Sequence, residues 1–448
     1  MNVSVPMKRT LVLTFALLAL LLASCTGSIE DPNPVLLITN IPRTAADGTP
    51  TNALGIIRDS LNTDQATRKG RFTFLPGSER SLPAPPQSFD ITNRANARNT
   101  LVVLSRASAQ AATTPLSYLS FFNIASLDGS ESDPTVAGFT NDRELRLNEA
   151  VIVPRNFPTN PIFCPSKVQV SQGGNYAAVL NVPQLCGYGP SQNFIDIFDL
   201  SGLGQTRLLQ RINGVAEGGL YVSQSSSDDV LYYATKTAGS LSLLRVSLPR
   251  PGQAFGPDDT LGTTFPVATI RDQLAQGNFV DFGVAGESGS ERLVVLFGNA
   301  LAYVTGYTGE GTSTVVGTAG SDNAVILRDD QLRMSEALVL GTPSAARLSV
   351  FPSTFTTGDG SAIESGERRA RVYASTGTIE PNNGYAYFAG TGPNNASSVS
   401  LLDLDAYSTG TTPNVQPYIE GLDGLIPAGS SWSPTLLTWA QSLPPAAP

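Results

Sequence analysis

An all-β fold built from repeated sheets is what the sequence predicts, and three observations predict it. From residue 88 onward, short apolar runs alternate with Gly, Ser, Asn and Asp turns, and long helical periods are lacking. One strand type recurs at intervals near fifty residues. The two ends of the chain each hold strand-like segments that no internal repeat claims.

In the recurring strand a turn residue leads into an alternating or continuous apolar run. Copies start at Asn99 (NTLVVLSR), Asn175 (NYAAVLNV), Asp229 (DVLYYATK), Glu291 (ERLVVLFG), Glu336 (EALVLGTP), Gly384 (GYAYFAGT) and Pro434 (PTLLTWAQ), spaced 76, 54, 62, 45, 48 and 50 residues apart. A second type follows several of them: SFFNIAS from Ser120, DIFDLSG from Asp196, SLLRVSL from Ser242 and SLLDLDA from Ser400. A period near fifty made only of strands is the signature of a β-propeller with one four-stranded blade per repeat. Seven copies give seven blades. Six or eight blades, and tandem β-sandwiches, are the competing architectures; sandwiches would repeat nearer about a hundred residues.

Closure is expected from the ends. DGLIPAGSS and PTLLTWAQ near the C-terminus, with VLLITNI from Val35 and RFTFLPG from Arg71, would share one blade, two strands from each end. That sharing removes open sheet edges. Segments 40–70 and 250–270 fit neither strand type and read as surface loops.

The first residues carry an address. Lys8 and Arg9 precede an apolar run from Leu11 to Leu22, too short and wrongly flanked for a stable span but laid out as an export signal. Leu22-Ala23-Ser24-Cys25 resembles the lipobox of bacterial lipoprotein precursors. The resemblance implies cleavage between Ser24 and Cys25, a diacylglycerol on the Cys25 thiol and further acylation, palmitate being one such chain. Two or three chains anchor a protein stably where one does not. The expected organisation is a signal peptide at 1–24, a lipidated tether at 25–33, a propeller at 34–440 and a tail at 441–448. Thr26 after the cysteine, in place of an Asp, favours the outer membrane or cell surface.

Losing the signal leaves 26 basic and 37 acidic side chains, a net charge of −11. An acidic surface argues against nucleic acid and anionic lipid as partners. Cys164 and Cys186 then remain, and two cysteines in an exported chain usually pair. Cys164 stands just before the innermost strand of the second blade and Cys186 just after that blade's second strand, so both fall on one face. The chain has no histidine. This excludes Ser-His-Asp and Cys-His catalysis and imidazole ligation of zinc, copper or iron.

VSQGGNYAAVL (Val170 to Leu180) and IDIFDLSG (Ile195 to Gly202) resemble the strand-turn-strand pattern of bacterial propellers of the surface-layer and TolB-like kind. The resemblance is specific for that one blade. Trp-Asp repeat endings and the sialidase Asp-box are missing, and the docking motif of quinoprotein-type blades survives only as LDAYSTG (Leu404 to Gly410), without its tryptophan.

Three acidic clusters, Asp128 to Asp133, Asp258 with Asp259, and Asp329 with Asp330, lack the alternating spacing and central glycine of a calcium loop and read as solvated turns. No metal or cofactor is expected. Arg155, Glu217, Arg271 and Asp272 are the polar candidates on the face that carries the cysteines. Phe157, Phe163 and Tyr188 are candidates for a sticky rim there. The expected role is a lipid-anchored envelope module that binds or scaffolds a protein or glycan partner. The alternatives are an extracytoplasmic glycan hydrolase or lyase working through paired carboxylates and a structural surface-layer component.

Overall fold

The computed structural model describes residues 34–44, 50–60, 72–94, 97–109, 113–127, 136–171, 173–201, 206–224, 229–237, 240–250, 254–262, 264–271, 279–285, 292–297, 301–305, 312–317, 326–327, 336–340, 348–352, 368–370, 376–380, 385–391, 397–403, 418–421 and 436–440. Apart from two short 3-10 turns, Leu147–Glu149 and Pro183–Cys186, every regular element among them is a strand.

Sheet I opens with β1 (Val35–Thr44), β2 (Pro50–Asp59), β3 (Phe72–Phe74) and β4 (Arg80–Leu82). Sheet II follows as β5 (Pro86–Arg94), β6 (Ala97–Arg106), β7 (Ser117–Asn123) and β8 (Asn141–Arg146). In sheet III, β9 (Val151–Ile152) lies parallel to the outer edge of a four-stranded meander: β10 (Pro165–Val170), β11 (Tyr176–Asn181), β12 (Phe194–Asp199) and β13 (Arg207–Asn213). Sheet IV holds β14 (Val215–Gln224), β15 (Asp229–Thr237), β16 (Ser240–Ser247) and β17 (Phe265–Arg271). Sheet V holds β18 (Phe279–Ala285), β19 (Arg292–Phe297), β20 (Leu301–Thr305) and β21 (Thr312–Gly317). Sheet VI holds β22 (Ile326–Leu327), β23 (Glu336–Leu340), β24 (Leu348–Pro352) and β25 (Arg368–Ala370). Sheet VII holds β26 (Thr376–Glu380), β27 (Tyr385–Thr391), β28 (Ser397–Asp403) and β29 (Tyr418–Gly421). The last strand, β30 (Leu437–Ala440), returns to sheet I and pairs with β1, Leu36 opposite Ala440 and Thr39 opposite Leu437.

Sheets I, II and III each pack both faces against neighbouring sheets, so their strands are apolar on both sides instead of alternating with water. Along β1, Leu36 and Ile38 pack into sheet II with Leu101, Val103 and Phe122. Val35, Leu37 and Ile41 pack the other way, with Tyr387, Ala389 and Val399 of sheet VII. Sheet II meets sheet III through Val102, Leu104, Val168 and Val179, and sheet III meets sheet IV through Ala178, Ile195, Leu231 and Tyr233. The first strands of the sheets, β5, β10, β14, β18, β22 and β26, and then β30, pack against one another in succession. This is a β-propeller.

Two expectations need correction. The shared sheet takes β1, β2 and β3 from the N-terminal end and β30 from the other, in the order β3-β2-β1-β30. With β4, which also pairs with β2, the division is four and one among the described residues, not two and two; DGLIPAGSS lies outside them. Segments 40–70 and 250–270 are not simply loops, because β2 occupies 50–59 and β17 begins at 265. PTNALGIIRD misses the repeat pattern because the strand opens with Pro50, Thr51 and Asn52, although Ala53, Leu54, Ile56 and Ile57 further along are all fully buried.

The up-and-down topology gives the disc two kinds of edge. Connections between second and third strands, and those from one sheet to the next, emerge on one face, here the upper face. First-to-second and third-to-fourth connections emerge on the lower face. In the β10–β11 hairpin Gly174 has φ +70, a left-handed conformation that glycine adopts without strain. Chain entry at Val35 lies beside Ala440, where β30 finishes its run from the upper to the lower face.

A buried hydrogen bond joins the shared sheet to sheet VII. The Tyr387 hydroxyl donates to Asp59 Oδ2 at 2.7 Å, and both residues are fully buried. Removing that donor leaves a buried carboxylate short of a partner. Tyr387→Phe is therefore expected to lower stability by about 1.5–3 kcal/mol, read as a shifted urea midpoint with an unchanged slope.

Candidate functional site

The chain that enters sheet III takes a detour. After β8 the chain makes a 3-10 turn and lays β9 along the outside of β13, with Val151 N donating to Thr206 O at 2.8 Å. It then climbs from the lower part of the outer edge to the upper face as a strap, residues 153–164, to reach β10. The strap is fastened at both ends. Val153 N donates to Leu208 O at 3.0 Å, and Cys164 O accepts from Val182 N at 2.9 Å.

Cys164 and Cys186 form a disulfide, Cα–Cα 6.1 Å, with both residues buried. Their positions are those expected: one immediately before β10, the other closing the 3-10 turn after β11. Arg106, at the end of β6 in the neighbouring sheet, donates to Pro165 O at 2.9 Å and lies 3.3 Å from Cys164 Sγ. Burial pushes its guanidinium pKa down. Replacing either cysteine by serine frees a loop spanning 22 positions. The expected cost is about 3 kcal/mol in the chain-entropy model, measured as the difference between oxidised wild type and the serine variant in urea.

Under the strap sits a polar group that the sequence reading did not single out. Arg211 on β13 makes a two-pronged contact with Asp196 on β12, Nε to Oδ1 at 2.7 Å and Nη2 to Oδ2 at 2.8 Å. Its guanidinium lies over the rings of Phe194 (3.6 Å to the centroid), Phe157 (4.5 Å) and Phe163 (5.9 Å). It also donates to Ile162 O at 3.4 Å. Asn181 completes the group, its Nδ2 donating to Asp196 Oδ2 at 3.1 Å and its Oδ1 accepting from Cys164 N at 2.9 Å. One cation thus holds three rings, the strap backbone and a buried acid. Each cation–ring contact contributes up to about 2 kcal/mol when desolvated.

Burial pushes the Asp196 carboxyl up to about 6, outweighing the opposite pull of Arg211 and Asn181. Its pKa in the fold therefore lies above its unfolded value, and the folded chain takes up a proton first. This group's contribution to stability rises as pH falls from above 6 toward 4, by about 3 kcal/mol across that window. Asp196→Asn is expected to flatten that part of the profile when urea midpoints are compared between pH 7 and 4.5.

The remaining candidates disperse. Phe157 and Phe163 belong to the Arg211 stack. Tyr188, half-buried, exchanges a 3.0 Å hydrogen bond with Thr114 Oγ1 of sheet II. Arg155 is exposed and pairs at 3.3 Å with Asp258, while its N–H donates to Pro257 O. That places it beside the third-to-fourth strand connection of sheet IV, away from the mouth. Glu217 lies on β14 and Arg271 ends β17, both toward the upper face; Asp272 lies outside the described residues. Of the acidic clusters, only Asp258 and Asp259 are described, and Asp259 Oδ2 accepts from Gly256 N. Ser24 and Cys25 lie outside the described residues.

Along the axis, Lys167 on β10 reaches Asp281 on β18 at 3.0 Å, bridging first strands two sheets apart. Asp90 on β5 accepts from Val170 N at 2.6 Å. Among the described residues no group of three or more His, Cys, Asp or Glu side chains is placed to hold a metal ion, and no helix is long and apolar enough to cross a membrane.

Comparison with solved structures agrees with this architecture. The periplasmic gluconolactonase PpgL of Pseudomonas aeruginosa superposes with a TM-score of 0.53 at 12% identity, covering 92% of this chain and 100% of its own. A Bacteroides uniformis protein provisionally assigned as a 6-phosphogluconolactonase gives 0.49 at 11% identity, covering 91% and 100%. TolB from Acinetobacter baumannii gives 0.35 at 12% identity, covering 94% and 70%. No protein-family model matches the sequence, and a search of curated proteins matches none. At 12% identity the likeness to PpgL is one of fold. The class is a β-propeller; its particular feature is a sheet III bound by a strap, a disulfide and a buried Arg–Asp pair.

Proposed function

We propose that this chain is a lipid-anchored, seven-bladed propeller of the cell envelope that binds or scaffolds a protein partner. The observation that carries the reading is the buried disulfide between Cys164 and Cys186. Structural disulfides persist in oxidising compartments outside the cytosol, which agrees with the export signal and the lipobox-like Leu22 to Cys25. Seven sheets and the placement of sheet I between sheets VII and II support a closed ring. A rigid disc on a short tether suits presentation of a binding face. Two acids on the axis serve structure: Asp281 pairs with Lys167, and Asp90 accepts a backbone N–H.

The test compares wild type with Cys25→Ala in intact cells. Palmitate labelling and membrane recovery of wild type, both lost in the variant, are expected, together with co-purification of one envelope protein after crosslinking. A soluble, unlabelled wild type would overturn the anchor. Turnover of a glycan or a sugar lactone by the purified protein, with no partner recovered, would replace the scaffold by a hydrolase.

A further inference from the structure

We infer that the upper edge of sheets II and III is a protein-docking surface turned away from the membrane, and that it takes the apolar side chains of a partner in the aqueous space. The inference rests on the lipid anchor proposed above and adds where, and by what chemistry, the partner sits. Leu116 and Leu185 are each 51% exposed. They are two of three large apolar side chains so exposed among the described residues; the third, Val151, lies on the outside of sheet III.

Leu116 ends the connection between the second and third strands of sheet II. Leu185 lies in the same connection of sheet III, next to Cys186. The Tyr188–Thr114 hydrogen bond joins these two loops, and the disulfide ties the second one to Cys164, which Arg106 of sheet II contacts. The leucines therefore stand on a pre-ordered platform, which reduces the ordering cost of binding.

Surface charge and the direction of the tether choose the occupant. Residues 107–116 and 182–193, which form these connections, contain no Asp, Glu, Lys or Arg, in a chain that is 15% charged. Depletion of charge around Leu and Tyr marks the centre of protein interfaces, whereas attachment to an anionic lipid surface draws on Lys and Arg. The chain enters sheet I at the lower face, beside Ala440. A tether from Cys25 to Val35 reaches at most about 35 Å, so it draws the lower face toward the bilayer and leaves the upper face outward.

The experiment places a photo-crosslinking residue at Leu116, Leu185 or, on the lower face, Ala125 of the full-length protein, and irradiates intact cells. One adduct of the same identified protein from positions 116 and 185, and none from 125, is expected. Leu116→Asp should reduce the adduct at 185 about tenfold, as loss of an interface anchor does. Phospholipid adducts at 185, no adduct at 116 and 185, or an adduct indifferent to Leu116→Asp would overturn the inference. Membrane fractionation of the same cells separates the two readings: loss of membrane attachment sinks the anchor, whereas lipid adducts from an attached protein sink only the docking surface.

Discussion

Deletion of Leu436 to Pro448 is expected to lower stability by about 5 kcal/mol or more and to turn the protein into an associating species. The deletion removes Leu436, Leu437 and Trp439, each at most 5% exposed. At about 1.5–3 kcal/mol for each large apolar side chain taken from water, their loss alone reaches that figure. It also strips β1 of its inner partner, leaving Leu36 to Thr39 with unpaired backbone groups where Leu437 to Ala440 had stood. The Thr39 hydroxyl loses its 2.7 Å bond to Leu436 O, and Asn40 loses its donor at Leu436 N. An exposed apolar edge invites pairing with another chain. Sedimentation should therefore show concentration-dependent association alongside the lowered urea midpoint. A monomer of unchanged midpoint would show that β30 is dispensable.

Arg211→Leu is expected to cost about 3–5 kcal/mol at neutral pH, the range for removing one partner of a buried ion pair. The variant leaves Asp196, which is fully buried, with the Asn181 amide but without its cation. It also takes the cation from beneath Phe157 and Phe194 and loosens the strap at Ile162. The sign with pH follows from the burial of Asp196: at pH 5 the carboxyl in the variant binds a proton, and the deficit shrinks. Combining Arg211→Leu with Asp196→Leu should recover part of the loss, because two packed apolar side chains replace a desolvated pair. A deficit that stays constant from pH 7 to 5 would mean that lost packing, not the stranded charge, sets the cost.

Strand identity was largely legible because two-sided burial writes itself as dense apolar runs, as in NYAAVLNV and DVLYYATK, which became β11 and β15. The pairing of the cysteines was legible too, since one precedes a first strand and the other follows a second. What escaped was the division of strands in sheet I. β2 opens with Pro50, Thr51 and Asn52, and a propeller meander and a loop look alike when the strand start is polar. The Arg211 group escaped for a different reason. Asp196 interrupts the apolar run of FIDIFD, whose second acid, Asp199, only ends the strand, and an acid inside such a run is the one local sign of a buried polar contact. Its partner lies fifteen residues away on another strand, and only the register of β12 against β13 sets Asp196 opposite Arg211. Phe157, Phe163 and Phe194 are scattered over two segments for the same reason. Their convergence is a property of the strap's path, which no periodicity encodes.

The bond between Thr39 and Leu436 spans 397 positions of sequence. A contact of that range is slow to find, because an enormous conformational search must end before it rewards the chain. Sheets II to VII can each form from neighbouring strands, but sheet I has to wait for a strand made 397 positions after its own first residues. Until then β1 behaves as an unfinished template, able to accept any compatible strand, and nascent chains crowded together would exchange their final strands. The order of synthesis thus makes β30 the element that completes sheet I, and a folding catalyst or holdase acting on this protein would have most to do in the interval before that strand arrives.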